Sequence, residues 1–273
     1  MTLEDAGSLI IDDADLEYRM IGPRPDEAPT IVLLHEGLGC TAMWRNFPEQ
    51  LARATGLGVF VYSRQGYGGS SPCEVPRSLA YMHDEAIQVL PKLLDAIGFT
   101  SGLLVGHSDG ASIAAIHAGA IADPRILGLV LMAPHFFTED MGIAAIAETK
   151  VTFETTDLRT RLQKYHGDNV DCAFWGWIGA WLDPEFRNWD LRDFLPTITV
   201  PVIVLQGLED QYGTAAQVCS IEELCGGEFE SLFLSNCAHT PFREQPEQTL
   251  AAISRFTATL FDGDEAANIR QQR

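Results

Sequence analysis

Short, unbroken apolar runs recur along the chain, separated by stretches in which apolar residues return at helical spacing. Thr30-Ile31-Val32-Leu33-Leu34 is continuous and β-rich, the pattern of a strand buried on both faces. Gly58 to Tyr62, Gly102 to Val105, Ile126 to Met132, Pro201 to Leu205 and Phe229 to Leu234 read as further strands. Between them, Trp44 to Thr55 places Trp44, Phe47 and Leu51 on one helical face, and Leu79 to Ile97 predicts a helix that Gly98 ends. Ala-rich helix follows Gly110, and Gly213 to Leu224 and about Gln245 to Leu260 predict two more. The polar tail from Asp262 to Arg273 reads as frayed.

Strand and helix in alternation specify an α/β fold, a mostly parallel central sheet with helices on both faces and a ligand site at the carboxyl ends of its strands. Two stretches break the rhythm. Ser8 to Ile11 and Leu16 to Ile21, joined across Asp12-Asp13-Ala14, predict an antiparallel edge hairpin ended by Gly22-Pro23. After Ala133-Pro134 about sixty residues pass without a strand, too many for a simple connection. That segment is crowded with aromatics, including Phe136, Phe137, Phe153, Tyr165, Phe174, Trp175, Trp177, Trp181, Phe186 and Trp189. It predicts a lobe at 135–195 inserted into a core domain made of 1–134 and 196–273.

Composition narrows the partners. A length of 273 residues is near the upper size of one hydrophobic core. The formal net charge of -20 opposes attraction to phosphate backbones or anionic membranes, so neither nucleic acid nor membrane is an expected partner. The cysteines at 40, 73, 172, 219, 225 and 237 form no C-x-x-C pair and no zinc spacing. They read as thiols of a reducing compartment. The start lacks a basic n-region and a long apolar h-region, and no apolar run reaches membrane-spanning length, so a soluble cytoplasmic protein without metal or cofactor is expected.

Candidate chemistry centres on Gly106-His107-Ser108-Asp109-Gly110, between the run Gly102 to Val105 and the small-residue run Ala111 to Ile116. G-x-S-x-G between a strand and a helix reads as a nucleophile elbow, in which the glycines permit a tight turn that lifts the serine hydroxyl clear of the sheet. A Gly-rich loop, His35-Glu36-Gly37-Leu38-Gly39, follows a central strand, where backbone N–H groups can face a ligand. Serine is a poor nucleophile unless an imidazole takes its proton and a carboxylate orients that imidazole. Glu209-Asp210 ends the strand after the lobe, and His239 lies in the loop after the last strand.

Serine, acid and histidine in that order at those strand ends resemble the α/β-hydrolase fold superfamily, over about residues 8 to 261. The resemblance implies Ser108 as nucleophile, His239 as base and Asp210, favoured over Glu209 by the family's offset, as the orienting acid. It implies an oxyanion hole from the backbone N–H groups of Gly37 and Asp109, with Leu38 as reserve. Gly66-Tyr67-Gly68-Gly69-Ser70 resembles the family's R-G-x-G-x-S loop, and 135–195 falls where members carry a helical cap. Glu36 stands where the family's H-G-x loop has glycine. A carboxylate there is expected to point away from the pocket, onto backbone N–H groups or Arg64. The implied function is a serine hydrolase that cleaves a small, largely apolar ester or related acyl compound through an acyl-serine. A carbon-carbon bond hydrolase with the same three residues, or a low-turnover ligand-binding protein, are the alternatives. A small-molecule substrate is the implied partner, and oligomeric state is left open.

Overall fold

In the computed structural model, residues 3–271 are described, with side chains described through residue 261. Eight strands form one sheet in the order β1-β2-β4-β3-β5-β6-β7-β8. β1 (Ala6–Ile11) and β2 (Ala14–Ile21) make the antiparallel edge hairpin, and β2 runs antiparallel to β4 (Gly58–Tyr62). β3 (Thr30–Leu34), β4, β5 (Gly102–His107), β6 (Ile126–Met132), β7 (Val202–Gly207) and β8 (Phe229–Leu234) are all parallel.

The unbroken apolar runs divide between two cores by strict alternation. Val32 and Leu34 face one core with Phe60, Tyr62 and Leu104, while Ile31 and Leu33 face the other with Val59, Val61 and Leu103. Each core takes a different set of helices. The first receives α3 (Leu90–Ala96) through Leu90 and Leu93, α4 (Asp109–Ile121) through Ile113 and Ile116, and the lobe. The second receives α1 (Phe47–Thr55) through Phe47 and Leu51, and the terminal helix through Ile253 and Phe256.

Three predicted helices differ from the structure for identifiable reasons. Trp44 belongs to a separate 3-10 turn, Thr41–Trp44, and α1 starts beyond it, with Pro48 in its first turn. The helix predicted from Leu79 to Ile97 is α2 (Tyr81–Asp84), a π-helical stretch Glu85–Val89, and then α3. Pro91 has no N–H to give the carbonyl of Ile87, and the backbone widens just before it. The terminal segment is α9 (Pro241–Glu244) followed by α10 (Pro246–Gln271), whose backbone stays helical past the predicted end near Leu260. No proline interrupts it, and Ala266 and Ala267 favour helix. The predicted frayed tail reaches to residues 272–273, which lie outside the described residues.

Between β6 and β7 lie α5 (Asp140–Thr155), α6 (Leu158–His166) and α7 (Val170–Trp181), followed by 3-10 turns at Pro184–Asn188 and Arg192–Thr197. Phe153 of α5 stacks on Phe174 of α7, with ring centroids 3.5 Å apart. These helices are pinned to the loops after β3 and β4 by buried polar groups. His166 Nδ1 accepts from Gly68 N–H at 3.0 Å and its Nε2–H donates to Leu38 O at 2.9 Å. Asn169 Nδ2 donates to Gly68 O and Ser70 O at 3.1 and 2.6 Å. Cys172 and Cys73 bring their thiols together across the same seam. α8 (Ala215–Leu224) starts at Thr214, whose hydroxyl accepts from Ala216 N–H.

Backbone packs tightly against two glycines of the elbow. A Cβ at Gly106 would overlap the Gly110 carbonyl, and one at Gly110 would overlap the Leu34 carbonyl. Backbone cannot give way as a flexible side chain can. Gly106→Ala and Gly110→Ala are each expected to lower unfolding free energy by about 3 kcal/mol or more. Gly179, exposed on α7 with open space around it, is the contrast, and Gly179→Ala should stabilise by about 0.5–1 kcal/mol. Urea denaturation of the three variants checks both signs.

Candidate active site

β5 runs up the middle of the sheet and stops at His107, and α4 starts at Asp109, so Ser108 alone makes the turn. Its backbone sits at φ 53, ψ -119, a region that costs an L-residue energy and persists only under surrounding constraint. Hydrogen bonds on both sides supply that constraint. Ser108 N–H donates to Met132 O at 2.9 Å, and Ser108 O accepts from Ala111 N–H at 2.9 Å. The hydroxyl is left at the carboxyl end of β5.

His239 and Asp210 arrive from loops 131 and 102 residues away in sequence. Ser108 Oγ lies 2.9 Å from His239 Nε2, and His239 Nδ1 lies 2.8 Å from Asp210 Oδ2. The Asp210 carboxylate also accepts from Tyr212 N–H at 2.8 Å and from Gln206 Nε2–H at 2.9 Å. Burial pushes this carboxyl up, but the bonds from His239 and Tyr212 outweigh it and hold its pKa at about 2. An ionised carboxylate only accepts, so His239 carries its proton on Nδ1 and turns a bare Nε2 toward the Ser108 hydroxyl. Glu209, the neighbouring acid, is occupied elsewhere. Its oxygens accept from the backbone N–H groups of Asn236 and Cys237 at 3.2 and 2.6 Å, clamping the loop that carries His239.

The loop after β3 is held by a buried arginine. Arg64 donates to the carbonyl oxygens of His35 and Glu36, and its backbone N–H donates to His35 Nε2 at 3.0 Å. His35 Nδ1–H completes the fold-back on Glu36 O at 2.7 Å. Burial and Arg64 push the His35 pKa well down, leaving a neutral ring that suits both bonds. Gly37 must be glycine, because a Cβ would overlap the Trp177 indole. Among the described residues, neither Gly37 N–H nor Asp109 N–H has a hydrogen-bond partner, and both residues line the cavity beside Ser108.

Glu36 corrects one expectation. Its carboxylate does not bond Arg64, which is spent on carbonyl groups, but sits 3.4 Å from His107 Nδ1. It lines the same cavity rather than turning its back on it. Burial pushes Glu36 up, yet His107, the Glu36 backbone N–H and Arg64 together more than offset this and the pKa falls below its ordinary value. His107 Nε2–H meanwhile donates to the His239 backbone carbonyl at 2.7 Å. The Glu36 charge therefore borders the cavity with a histidine partner behind it.

The cavity offers about 150 Å³, and Ile146, Trp177 and Trp181 from the inserted helices line it. By volume it suits a group about the size of benzene. His135 and Tyr212 also line it. Burial pushes His135 down to about 3, so it faces the cavity as a neutral imidazole. Of the lobe's aromatics, Trp177 and Trp181 reach the cavity, while Phe153, Phe174 and Phe186 pack into the first core. Gln206, Tyr81, Tyr212 and His135 carry no sequence signal that would have singled them out. No group of three His, Cys, Asp or Glu side chains is placed to hold a metal ion among the described residues. Nor, among them, is any helix long and apolar enough to cross a membrane.

Known proteins share the sequence pattern and the fold. The sequence model described as "Alpha/beta hydrolase family" matches residues 31–253. A proline iminopeptidase of Lactobacillus acidophilus is 20% identical over 280 residues, spanning 89% of this chain and 94% of that protein. Among solved structures, the esterase RhEst1 from Rhodococcus sp. ECU1013 superimposes with a TM-score of 0.71 at 20% identity, covering 94% of this chain and 100% of that one. The enol-lactonase from Burkholderia xenovorans LB400 does so with 0.69 at 22% identity, covering 92% and 99%.

The depressed Asp210 pKa has a stability consequence. Folding lowers it from an ordinary value near 3.8 to about 2, so the ionised group contributes stability above roughly pH 4 that is lost as pH falls through about 2. The contribution is about 2 kcal/mol. Between pH 5 and 2, wild type is expected to lose about that much more unfolding free energy than Asp210→Asn. Equal slopes in urea titrations across this range would contradict it.

Proposed function

Because the chain belongs to the alpha/beta hydrolase family, we propose that it is a serine hydrolase that cleaves a small ester or related acyl compound through an acyl-serine at Ser108. In this reading Ser108 Oγ attacks the carbonyl carbon while its proton passes to His239 Nε2. The carbonyl oxygen becomes an oxyanion that accepts hydrogen bonds from the backbone N–H groups of Gly37 and Asp109. Asp109 opens α4, so the helix dipole adds to that stabilisation. His239 then gives its proton to the departing alkoxide. Water, deprotonated by the same Nε2, attacks the acyl-serine, and collapse releases the acid and restores the Ser108 hydroxyl.

The observation that carries this reading is the bonded chain from Ser108 Oγ through His239 to an ionised Asp210, with its hydroxyl opening on a small cavity. Two unpartnered backbone N–H groups beside Ser108 support it, since donors free of other bonds cost no reorganisation when negative charge develops. The small volume and the walls of Ile146, Trp177 and Trp181 favour a compact, largely apolar acyl group. The helices within 135–195 take the part of a cap, and a small molecule is the partner that fits.

Two predictions test the roles. Ser108→Ala should fold normally and lose on the order of 10⁴ or more in kcat on p-nitrophenyl acetate. Retention of activity within tenfold in contaminant-free protein would sink the acyl-serine. Asp210→Asn should lower kcat by about 10⁴ because it loses control of the His239 tautomer. Glu209→Gln should mainly lower Tm, by loosening the backbone clamp on residues 236 and 237. A larger kcat loss in Glu209→Gln than in Asp210→Asn would reverse the assignment.

A further inference from the structure

Cys73, in the loop after β4, and Cys172, in the first turn of α7, stand 99 positions apart in sequence, yet their sulfurs lie 2.8 Å apart. The chemistry at Ser108 uses neither thiol. Backbone groups hold the pair in place. Cys73 N–H donates to Cys172 Sγ at 3.3 Å, and Cys172 Sγ–H donates to Cys73 O at 3.2 Å. Both sulfurs rest over Gly66, where φ is +88 and a Cβ would overlap the two of them. Arg77 spans the same seam: its guanidinium donates to Gln65 O at 2.8 Å, and a Cβ at Gly176 of α7 would overlap its Nε. Burial pushes the Cys73 thiol up to about 12, and the Arg77 charge beside it pulls the other way. Among the described residues no other two thiols share a hydrogen bond.

We propose that Cys73 and Cys172 are a redox modification site, at which hydrogen peroxide oxidises the two thiols to a disulfide that staples α7 to the core. A disulfide of about 2.05 Å requires the sulfurs to close by less than about 1 Å. Both residues are only half-buried, which leaves a path for an oxidant little larger than water. Cys172 reacts first, because its sulfur accepts the Cys73 N–H and so has a donor ready for a thiolate. Cys172 Sγ attacks one peroxide oxygen, the O–O bond breaks, and the departing hydroxide takes the Cys172 proton as water, leaving a sulfenic acid. Cys73 Sγ then attacks Cys172 Sγ, the S–O bond breaks, and the hydroxyl leaves with the Cys73 proton as a second water. The two thiols lose two electrons in all, and one peroxide gains them. Small-molecule thiols reverse the bond by exchange. The staple has a functional reach, since α7 carries Trp177 and Trp181, which line the cavity beside Ser108. It also closes a loop of about a hundred residues, which restricts the unfolded chain strongly.

The test is independent of turnover. Fully reduced protein is treated with a slight excess of hydrogen peroxide, quenched with catalase, and mapped by non-reducing peptide mass spectrometry. A linked peptide pair containing Cys73 and Cys172 is expected, with the six thiols falling to four and returning to six after dithiothreitol. The oxidised form should melt about 5 °C or more above the reduced form. Amide hydrogen exchange over residues 170–181 should slow about fivefold or more, because local opening of α7 is restrained. Cys73→Ala and Cys172→Ala should each abolish both shifts; should one of them fail to fold, the other is read. Six thiols remaining after peroxide overturns the proposal, and so does a sulfinic acid at either position without the linked pair, or a link to any other cysteine. A Cys73–Cys172 link that leaves exchange in α7 unchanged overturns the staple.

Discussion

At Ser108 the backbone passes from the end of a buried strand into the first turn of a helix within one residue, and three backbone segments meet there without room for a methyl group. Gly106 lies against the Gly110 carbonyl, and Gly110 against the Leu34 carbonyl at the end of β3. The Ser108 hydroxyl is raised above the sheet because these contacts force the turn, and Asp109 N–H is free because the helix begins there. The loop after β3 lies beside the hydroxyl for the same reason. Everything else at the site is arranged around a point that close backbone packing creates.

A second layer of order comes from buried charge. Arg64 is nearly inaccessible, yet it is spent on the carbonyl oxygens of His35 and Glu36. That makes an arginine the support of a backbone loop, with the carboxyl groups of Glu85 and Asp109 near its charge. Asp109, Tyr81 and Trp181 then link the elbow helix to the inserted helices, so the position of those helices and the elbow geometry share one hydrogen-bonded chain. His166 and Asn169 make a parallel attachment to the loops after β3 and β4. Gly68 and Ser70 thus provide backbone groups for the inserted helices to grip.

The strands were legible because a sheet buried on both faces demands unbroken apolar runs, and those runs stand out at residues 30–34, 102–105 and 126–132. Helix boundaries were less so. The π-helical stretch before Pro91 answers to a single missing N–H, which leaves the apolar spacing untouched. Glu36 shows a different gap. The sequence suggests Arg64 as its partner, but both terminal nitrogens of Arg64 donate to carbonyl groups, and the side chain beside the carboxylate is His107.

What the sequence determined by itself is the local grammar: where strands begin, that a turn with two obligatory glycines holds Ser108, and that an acid and a histidine stand at later strand ends. Each is dictated by side-chain volume, backbone freedom or periodicity within a few residues. Tertiary structure alone decided that Glu209 clamps the backbone of the loop that carries His239, and that Trp177 and Trp181 and not the other lobe aromatics line the cavity. Those outcomes depend on distances between residues as many as 131 positions apart. Hydrogen bonds and steric exclusion act over a few ångströms in space, and only the folded chain sets which distant residues share those ångströms.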